Sequence, residues 1–364
     1  MKSFLVVLGF ILTLFSFLPL IKSPKWWIRV LDFPRLQVAV LLTAILIAFV
    51  VMFGIHGAAE TAMVVLWALA ILNEVRFIVH FTPLVKVTAL RTEQKVPQDA
   101  FTLMIANVRM ANTKYQAFLD LALQQDPDML VMNEPGEEWY KNVRQELSRR
   151  YPYAIKKPLN NTYGMLLWSK FKLEETEIRF LVEDGIPSFY ATVVLPSGNR
   201  FGMYTVHPQP PQFMKNTETR GAELLLVAKQ AKENPLPCVV AGDLNDVAWS
   251  KTTKLFKEIS TMIDPRVGRG FYNTYNAFVP LFRYPLDHVF YSPAFRLVHL
   301  RRLPKFGSDH FPITITLNFE PQKEDKQEHP VADRADKQEA REMIAEGLEK
   351  GEERDAEKLH GKPQ

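Results

Sequence analysis

Three long apolar runs crowd the first eighty or so residues: Phe4 to Ile21, Leu36 to Ile55, and Ala58 to about Phe81. About 20 helical residues cross the hydrocarbon of a bilayer, so each run is long enough to span it or nearly so. Hydrocarbon offers no partner to a peptide N–H or C=O, which leaves the helix as the only form such runs can take there. The alternative for the first run is a cleaved secretion signal opening at Lys2. No small-x-small pattern follows Leu20, however, and two further apolar runs come at once. Three spanning helices are therefore expected, the second and third joined as a hairpin through His56-Gly57-Ala58-Ala59-Glu60, with Trp26, Trp27 and Trp67 as interface anchors.

Asn73, Glu74 and Arg76 interrupt the third run. Either they pack against the other helices, or the helix leaves the hydrocarbon near Leu72 and finishes along the surface before Pro83; the second is the expectation. Lys22, Lys25, Arg29 and Arg35 after the first run, and Lys86, Arg91 and Lys95 after the third, place both segments on the cytoplasmic side by the positive-inside rule, with the amino terminus outside.

The net charge of +4 is unevenly spread, because the tail after Phe319 holds roughly fourteen acidic against nine basic side chains. The basic body suits a phosphate-bearing partner or an anionic membrane surface equally. Cys238 stands alone in the chain, which excludes an internal disulfide and a cysteine-based zinc site.

Residues 84–99 read as a polar linker. Beyond it, strand patterns fall at Phe101 to Val108, Met129 to Glu134, Tyr163 to Trp168, Ser188 to Leu195, Phe201 to Val206, Cys238 to Ala241, Asp287 to Tyr291 and Phe311 to Leu317. Helical spacing marks Lys114 to Gln125, Glu137 to Arg149, Thr217 to Lys232 and Ser250 to Ile259. Strand–helix alternation followed by adjacent strand pairs indicates a mixed α/β sandwich over 100–319.

The polar residues at the strand ends carry the chemistry. Asn107 closes the first strand, Glu134 the second, and His207 the one before Pro208-Gln209-Pro210-Pro211. Asp243 and Asn245 follow Cys238-Val239-Val240-Ala241, Asp287 and His288 open the next strand, and Gly307-Ser308-Asp309-His310 precedes the last. Each has an ordinary reading: Glu134 as a helix cap, Gly242-Asp243-Leu244-Asn245 as an Asx turn, Asp309-His310 as a solvated loop. Burying them singly costs several kcal/mol apiece. Convergence on one rim removes that cost, since carboxylates share a cation and imidazoles pair with carboxylates.

Gly242-Asp243-Leu244-Asn245, Leu286-Asp287-His288-Val289-Phe290, Ser308-Asp309-His310 and Tyr163-Gly164-Met165-Leu166-Leu167-Trp168-Ser169 resemble the motifs of the endonuclease/exonuclease/phosphatase superfamily. The resemblance covers about 101–319, and with the apolar runs it extends to a bacterial membrane-attached subgroup. It implies a four-layer α/β sandwich of two packed mixed sheets flanked by helices, preceded by transmembrane helices. It also implies a divalent cation, magnesium or manganese, held by Glu134, Asn107 and Asp309. Asp243, steadied by Asn245, would orient or deprotonate the attacking water; His310, oriented by Asp287, would contact the phosphoryl group; His207 would donate to a phosphate oxygen or assist the leaving group. Arg109 stands where many members carry a second acidic or amide residue, and is expected to bind a substrate phosphate instead. The subgroup implies a multi-pass protein of the bacterial inner membrane with its catalytic domain outside the cytoplasm, the reverse of the charge rule.

The expected activity is hydrolysis of a phosphate ester or pyrophosphate, with a lipid-linked substrate at the bilayer and no obligate protein partner. A membrane-anchored nuclease is the alternative, with Lys156, Lys157, Lys170, Lys172, Arg266, Arg269, Arg301 and Arg302 as basic candidates for a nucleic-acid groove. A non-catalytic scaffold that binds a phosphorylated ligand is the third. Residues 320–364 are expected to form a disordered or solvated helical tail.

Overall fold

The computed structural model describes residues 1–211 and 215–359. The chain divides into two compact units, residues 1–86 with 211–217, and residues 87–210 with 218–364.

In the first unit, α1 (Lys2–Phe17), the short α2 (Trp26–Arg29), α3 (Arg35–Phe53) and α4 (Ala58–Ile78) follow the apolar runs. Three stretches, Lys2–Leu20, Arg35–Phe53 and Ala58–Phe81, are long and apolar enough to cross a membrane. The third run does not leave the bundle at Leu72. Asn73 donates to the Ser16 carbonyl at 2.8 Å, and Glu74 accepts from Arg35 at 3.1 Å. Partners on the neighbouring helices thus remove the cost that the surface route would have avoided. Trp67 is fully buried against Phe49 and is no interface anchor. Arg29 and Arg35, counted above as loop charges, both pair with buried Asp32.

The second unit is the sandwich. Its first sheet runs β10-β11-β1-β2-β4-β3 and its second β5-β6-β7-β8-β9. The strands are β1 (Ala100–Asn107), β2 (Met129–Asn133), β3 (Tyr153–Lys157), β4 (Met165–Ser169), β5 (Lys172–Arg179), β6 (Ser188–Val194), β7 (Arg200–Thr205), β8 (Cys238–Asp243), β9 (Asp287–Tyr291), β10 (Phe295–Arg302) and β11 (Ile313–Phe319). β1–β2 and β7–β8 pair in parallel and the other neighbours antiparallel, so both sheets are mixed. Period-2 alternation sorts the side chains: Leu103 and Ile105 join Phe201, Met203 and Val239 between the sheets, whereas Met104 and Ala106 face the helices. Helices α5 (Tyr115–Gln125) and α6 (Glu137–Arg150) cover the first sheet, and α7 (Glu218–Glu233) and α8 (Lys251–Ser260) the second. The result is a four-layer α/β/β/α stack.

β3, β5 and β10 had no assignment from pattern. β5 carries mostly charged, part-exposed residues, β10 breaks its alternation at a bulge between Leu297 and His299, and β3 is a short edge strand, so hydrophobic periodicity does not mark them. The charged tail holds a 26-residue helix, α9 (Arg334–Leu359), and it is packed rather than solvated. Gly347 and Gly351 are buried; a Cβ on Gly347 would lie 2.3 Å from that of Ala222, and one on Gly351 2.3 Å from the Val182 carbonyl oxygen. Arg354 then donates to Glu183, Gln209 and Thr219 at 2.9, 2.6 and 2.8 Å. Residues 360–364 of the tail lie outside the described residues.

Candidate active site

Parallel pairing sends β1, β2, β7 and β8 toward one end of the sandwich, and their last residues meet there. Gly242 makes the approach possible: at φ +149° it lies so close to β7 that a Cβ would fall 1.9 Å from the Val206 carbonyl oxygen. His207 and Asp243 are thereby set side by side, with His207 Nδ1 3.2 Å from the Asp243 carbonyl oxygen.

Asp243 is the hub. Its Oδ2 accepts from Asn107 Nδ2 at 2.9 Å and lies 3.6 Å from His310 Nε2 and 4.0 Å from His207 Nδ1. Its Oδ1 accepts from the Asn245 N–H at 2.9 Å, while Asn245 Nδ2 donates to the Pro208 carbonyl at 2.9 Å. Asn107 Nδ2 also meets Glu134 Oε1 at 2.8 Å, and His207 Nε2 stands 3.8 Å from that oxygen. On the other side His310 Nδ1 lies 2.8 Å from Asp287 Oδ2. Seven of the residues singled out in the sequence, Asn107, Glu134, His207, Asp243, Asn245, Asp287 and His310, are therefore brought together. Asp309 sits at the rim with its carboxylate 3.7 Å from Arg109 Nε, and Arg109 is about half exposed.

Charge in this enclosure is uneven. Burial works against a charged His310, but Asp287 and Asp243 outweigh it and hold the imidazolium up to about 10. Burial pushes the Asp243 carboxyl up, against the pull of His310. Asp287 Oδ1 has no hydrogen-bond partner among the described residues. Asp243, Asp287 and His310 bring one ligand atom each within 4.8 Å of one another, and Glu134 adds oxygen beside Asn107. Glu134 and the buried Asp243 and Asp287 carboxylates are hard oxygen donors of the kind a divalent ion takes, and Asn107 would join them through Oδ1, which here accepts the Arg109 N–H at 2.8 Å.

Several supports escaped the sequence reading. Ser308 donates to the Asn107 carbonyl at 2.8 Å and accepts the His310 N–H at 3.0 Å, tying the last loop to β1. Behind the site, Arg266 pairs with Asp264 at 2.8 Å and its Nη2 lies 2.6 Å from His288 Nδ1, while His288 Nε2 faces the Asp246 carbonyl at 2.8 Å. Burial and the neighbouring Arg266 hold His288 well below its usual range, so it is neutral, donates to Asp246 and fixes the loop after Asp243. The adjacency of Asp287 and His288 was the only signal for this layer, because Arg266 reaches it from a distant loop. Arg266 is thus withdrawn from any substrate groove. Lys170 pairs with Asp126 at 2.6 Å and Lys172 with Glu174 at 2.7 Å; Lys170 follows β4 and Lys172 opens β5, both at the end of the sandwich opposite the site. Lys157 and Arg302 do reach the rim end, but on the two opposite edges of the first sheet.

The sequence matches the model of the Endonuclease/Exonuclease/phosphatase family over residues 104–310. Among solved structures it is similar to D. rerio TDP2 complexed with single strand DNA product, at 18% identity and TM-score 0.50, over 60% of this chain and 99% of that one. The human Nocturnin catalytic domain with bound sulfate anion is similar at 18% identity and TM-score 0.50, over 62% and 96%. An endonuclease/exonuclease/phosphatase from Bacteroides vulgatus matches at 18% identity and TM-score 0.50, over 61% and 99%. No curated protein matches. The family match spans more than half of the chain, which belongs to the endonuclease/exonuclease/phosphatase family and is a hydrolase of phosphoester bonds with a buried Asp/His cluster.

Proposed function

We propose that this phosphoesterase is attached to the bacterial inner membrane by its three apolar helices and hydrolyses a phosphate ester or pyrophosphate of a lipid-linked substrate. The observation that carries the reading is the Asp287–His310–Asp243 array, 2.8 and 3.6 Å between polar atoms, beside Glu134 and Asn107. Glu134 and Asn107, with Asp309 at the rim, would hold magnesium, which when bound neutralises phosphate charge. Asp243, oriented by the Asn107 amide and the Asn245 N–H, takes the proton of the attacking water; burial that raises its affinity for a proton suits this role. Protonated His310, held by Asp287, donates to a phosphoryl oxygen. As the P–O bond to the leaving group breaks, His207 supplies a hydrogen bond to a phosphate oxygen or to the departing oxygen. Arg109, half exposed beside Asp309, meets a second phosphate group of the substrate.

A nuclease is the second reading, favoured by the single-strand DNA product in the TDP2 structure. That likeness is one of fold, and of the basic side chains named from sequence Lys157 and Arg302 stand on the two opposite edges of the first sheet. The test is magnesium-dependent hydrolysis by the full chain in nanodiscs against DNA, RNA, phospholipids and polyprenyl pyrophosphate, compared with Asp243→Ala and His310→Ala. Turnover of a lipid substrate that both variants lose is expected. Turnover of nucleic acid alone overturns the lipid reading. No turnover of any substrate by a folded, metal-binding chain would make it a scaffold.

A further inference from the structure

Beside the site stands a short loop that no catalytic role explains. Residues 274–284 fold back on themselves: Thr274 N–H donates to the Tyr284 carbonyl at 3.0 Å and Asn276 N–H to that of Phe282 at 3.1 Å. At the tip Phe278, Val279, Leu281 and Phe282 are 48, 41, 66 and 50% exposed. Four large apolar side chains within five residues form a contiguous exposed patch, which water disfavours and which marks an interaction surface.

The loop is fixed to the chemistry. Ala277 N–H donates to the Asp309 carbonyl at 2.7 Å, Phe311 N–H to that of Thr274 at 2.8 Å, and the Tyr275 ring lies 5.0 Å from that of His310. Whatever covers the tip is held next to the reacting phosphorus.

Three features choose the occupant. The tip's own N–H groups are largely satisfied within the loop: Asn276 Oδ1 accepts from Phe278 and Val279 at 2.8 and 3.3 Å, Phe282 N–H donates to Val279, and Pro280 has none. A segment that enters hydrocarbon must meet that condition, whereas one covered by a protein need not. Arginine surrounds the apolar tip: Arg109 lies 5.7 Å from the Phe278 ring centre, and Arg283 follows Phe282. No acidic residue occurs between Asp264 and Asp287. An apolar tip within a basic collar complements acyl chains beneath anionic headgroups. The same chain, moreover, carries three helices able to cross a membrane.

We propose that residues 276–283 are a wedge that enters the bilayer surface at the mouth of the active site, so that the phosphoester is taken from a lipid still seated in the membrane. This rests on the lipid-linked reading above and adds how the substrate is reached.

The test uses the full chain in nanodiscs of phosphatidylethanolamine and phosphatidylglycerol, with Leu281→Cys carrying an environment-sensitive dye. Native Cys238 is fully buried, and the unmodified chain treated in parallel is the blank. Phe282→Cys gives a second position. Arg149→Cys is the reference, because α6 leaves the rim at Glu137 and ends at the far side of the sandwich. Blue-shifted emission at 281 and 282, with at least about twofold quenching by acyl-chain spin-labelled lipid and none at 149, is expected for a segment lying at the headgroup–acyl boundary. Equal signals at 281 and 149 overturn the wedge, as does quenching that appears only when a single-stranded oligonucleotide is added. Because insertion is read without turnover, the two claims fail separately. A quenched tip on a protein that cleaves no lipid removes the lipid-substrate reading, and an unquenched tip on a protein that does cleave lipid removes the wedge.

Discussion

The rim of the site and the carboxy-terminal helix α9 belong to the same unit, yet they are held by opposite means. At the rim, Asn107, Asp243, Asn245, Asp287 and His310 are all buried, and each bonds to at least one other residue of the set or its supports. A buried charge must have a partner, so each position admits almost one residue type. Along α9 only Ala340, Gly347 and Gly351 are buried, and the helix is seated by the close approach the two glycines allow, by Met343 and Ile344 against Leu225 and Leu255, and by Arg354. The rim is fixed by paired polar groups and α9 chiefly by close packing. Chemistry and stability should therefore respond to different substitutions.

The largest effects are expected at the rim. Asp243→Ala or His310→Ala should lower kcat by on the order of 10³-fold, as for loss of a positioned acid or base, with little change in the unfolding midpoint of the α7–α9 face. Chelation of divalent ions should abolish turnover, and magnesium should restore it. Steady-state rates with and without chelator check both. An Asp243→Ala protein that keeps its rate would erase the distinction.

Legibility in the sequence follows the same division. Gly242-Asp243-Leu244-Asn245 and Ser308-Asp309-His310 could be read because partnered burial restricts residue type, and seven of the nine site residues named from sequence converge. The sandwich was legible where strands are apolar and buried, as in β1, β2 and β8, and illegible at β5, whose charged residues lie along an exposed edge, and at β10, whose alternation a bulge interrupts. Arg266 could not be read as a support for His288, since 22 residues separate them and only the fold closes the gap. The seating of α9 left a single trace, the Gly347-x-x-x-Gly351 spacing, easily lost in a charged run.

That trace supplies the next prediction. Gly347→Leu would drive a side chain into Ala222, whose Cβ already lies 2.3 Å from where the first added carbon would fall. Overpacking of this kind costs about 1–3 kcal/mol. The substitution should expose α9 to limited proteolysis and lower the thermal midpoint, while kcat changes less than about threefold, far below the loss at the rim. If turnover collapses together with the helix, the two regions are coupled, with Arg354 through Gln209 as the route to His207.

The smallest effect expected is one of pH. Glu223 on α7 is buried with Oε1 lacking a hydrogen-bond partner among the described residues. Burial first and the Glu183 carboxylate second push it from 4.5 up to about 8. The charged groups around it come from the α9 side, where Arg354 meets Glu183 at 2.9 Å and Lys358 at 3.7 Å. Because the folded state binds this proton more tightly than the unfolded chain, its stabilising contribution is full below about pH 4.5 and is lost as pH rises through about 8. Glu223→Gln keeps the shape and removes the titration. It should gain stability over the parent at pH 8 and much less at pH 5, where the loss has only begun, read as the difference in denaturant midpoints. An equal gain at both pH values would mean that Glu223 does not titrate in this window, and the α7–α9 face would then be held by packing alone.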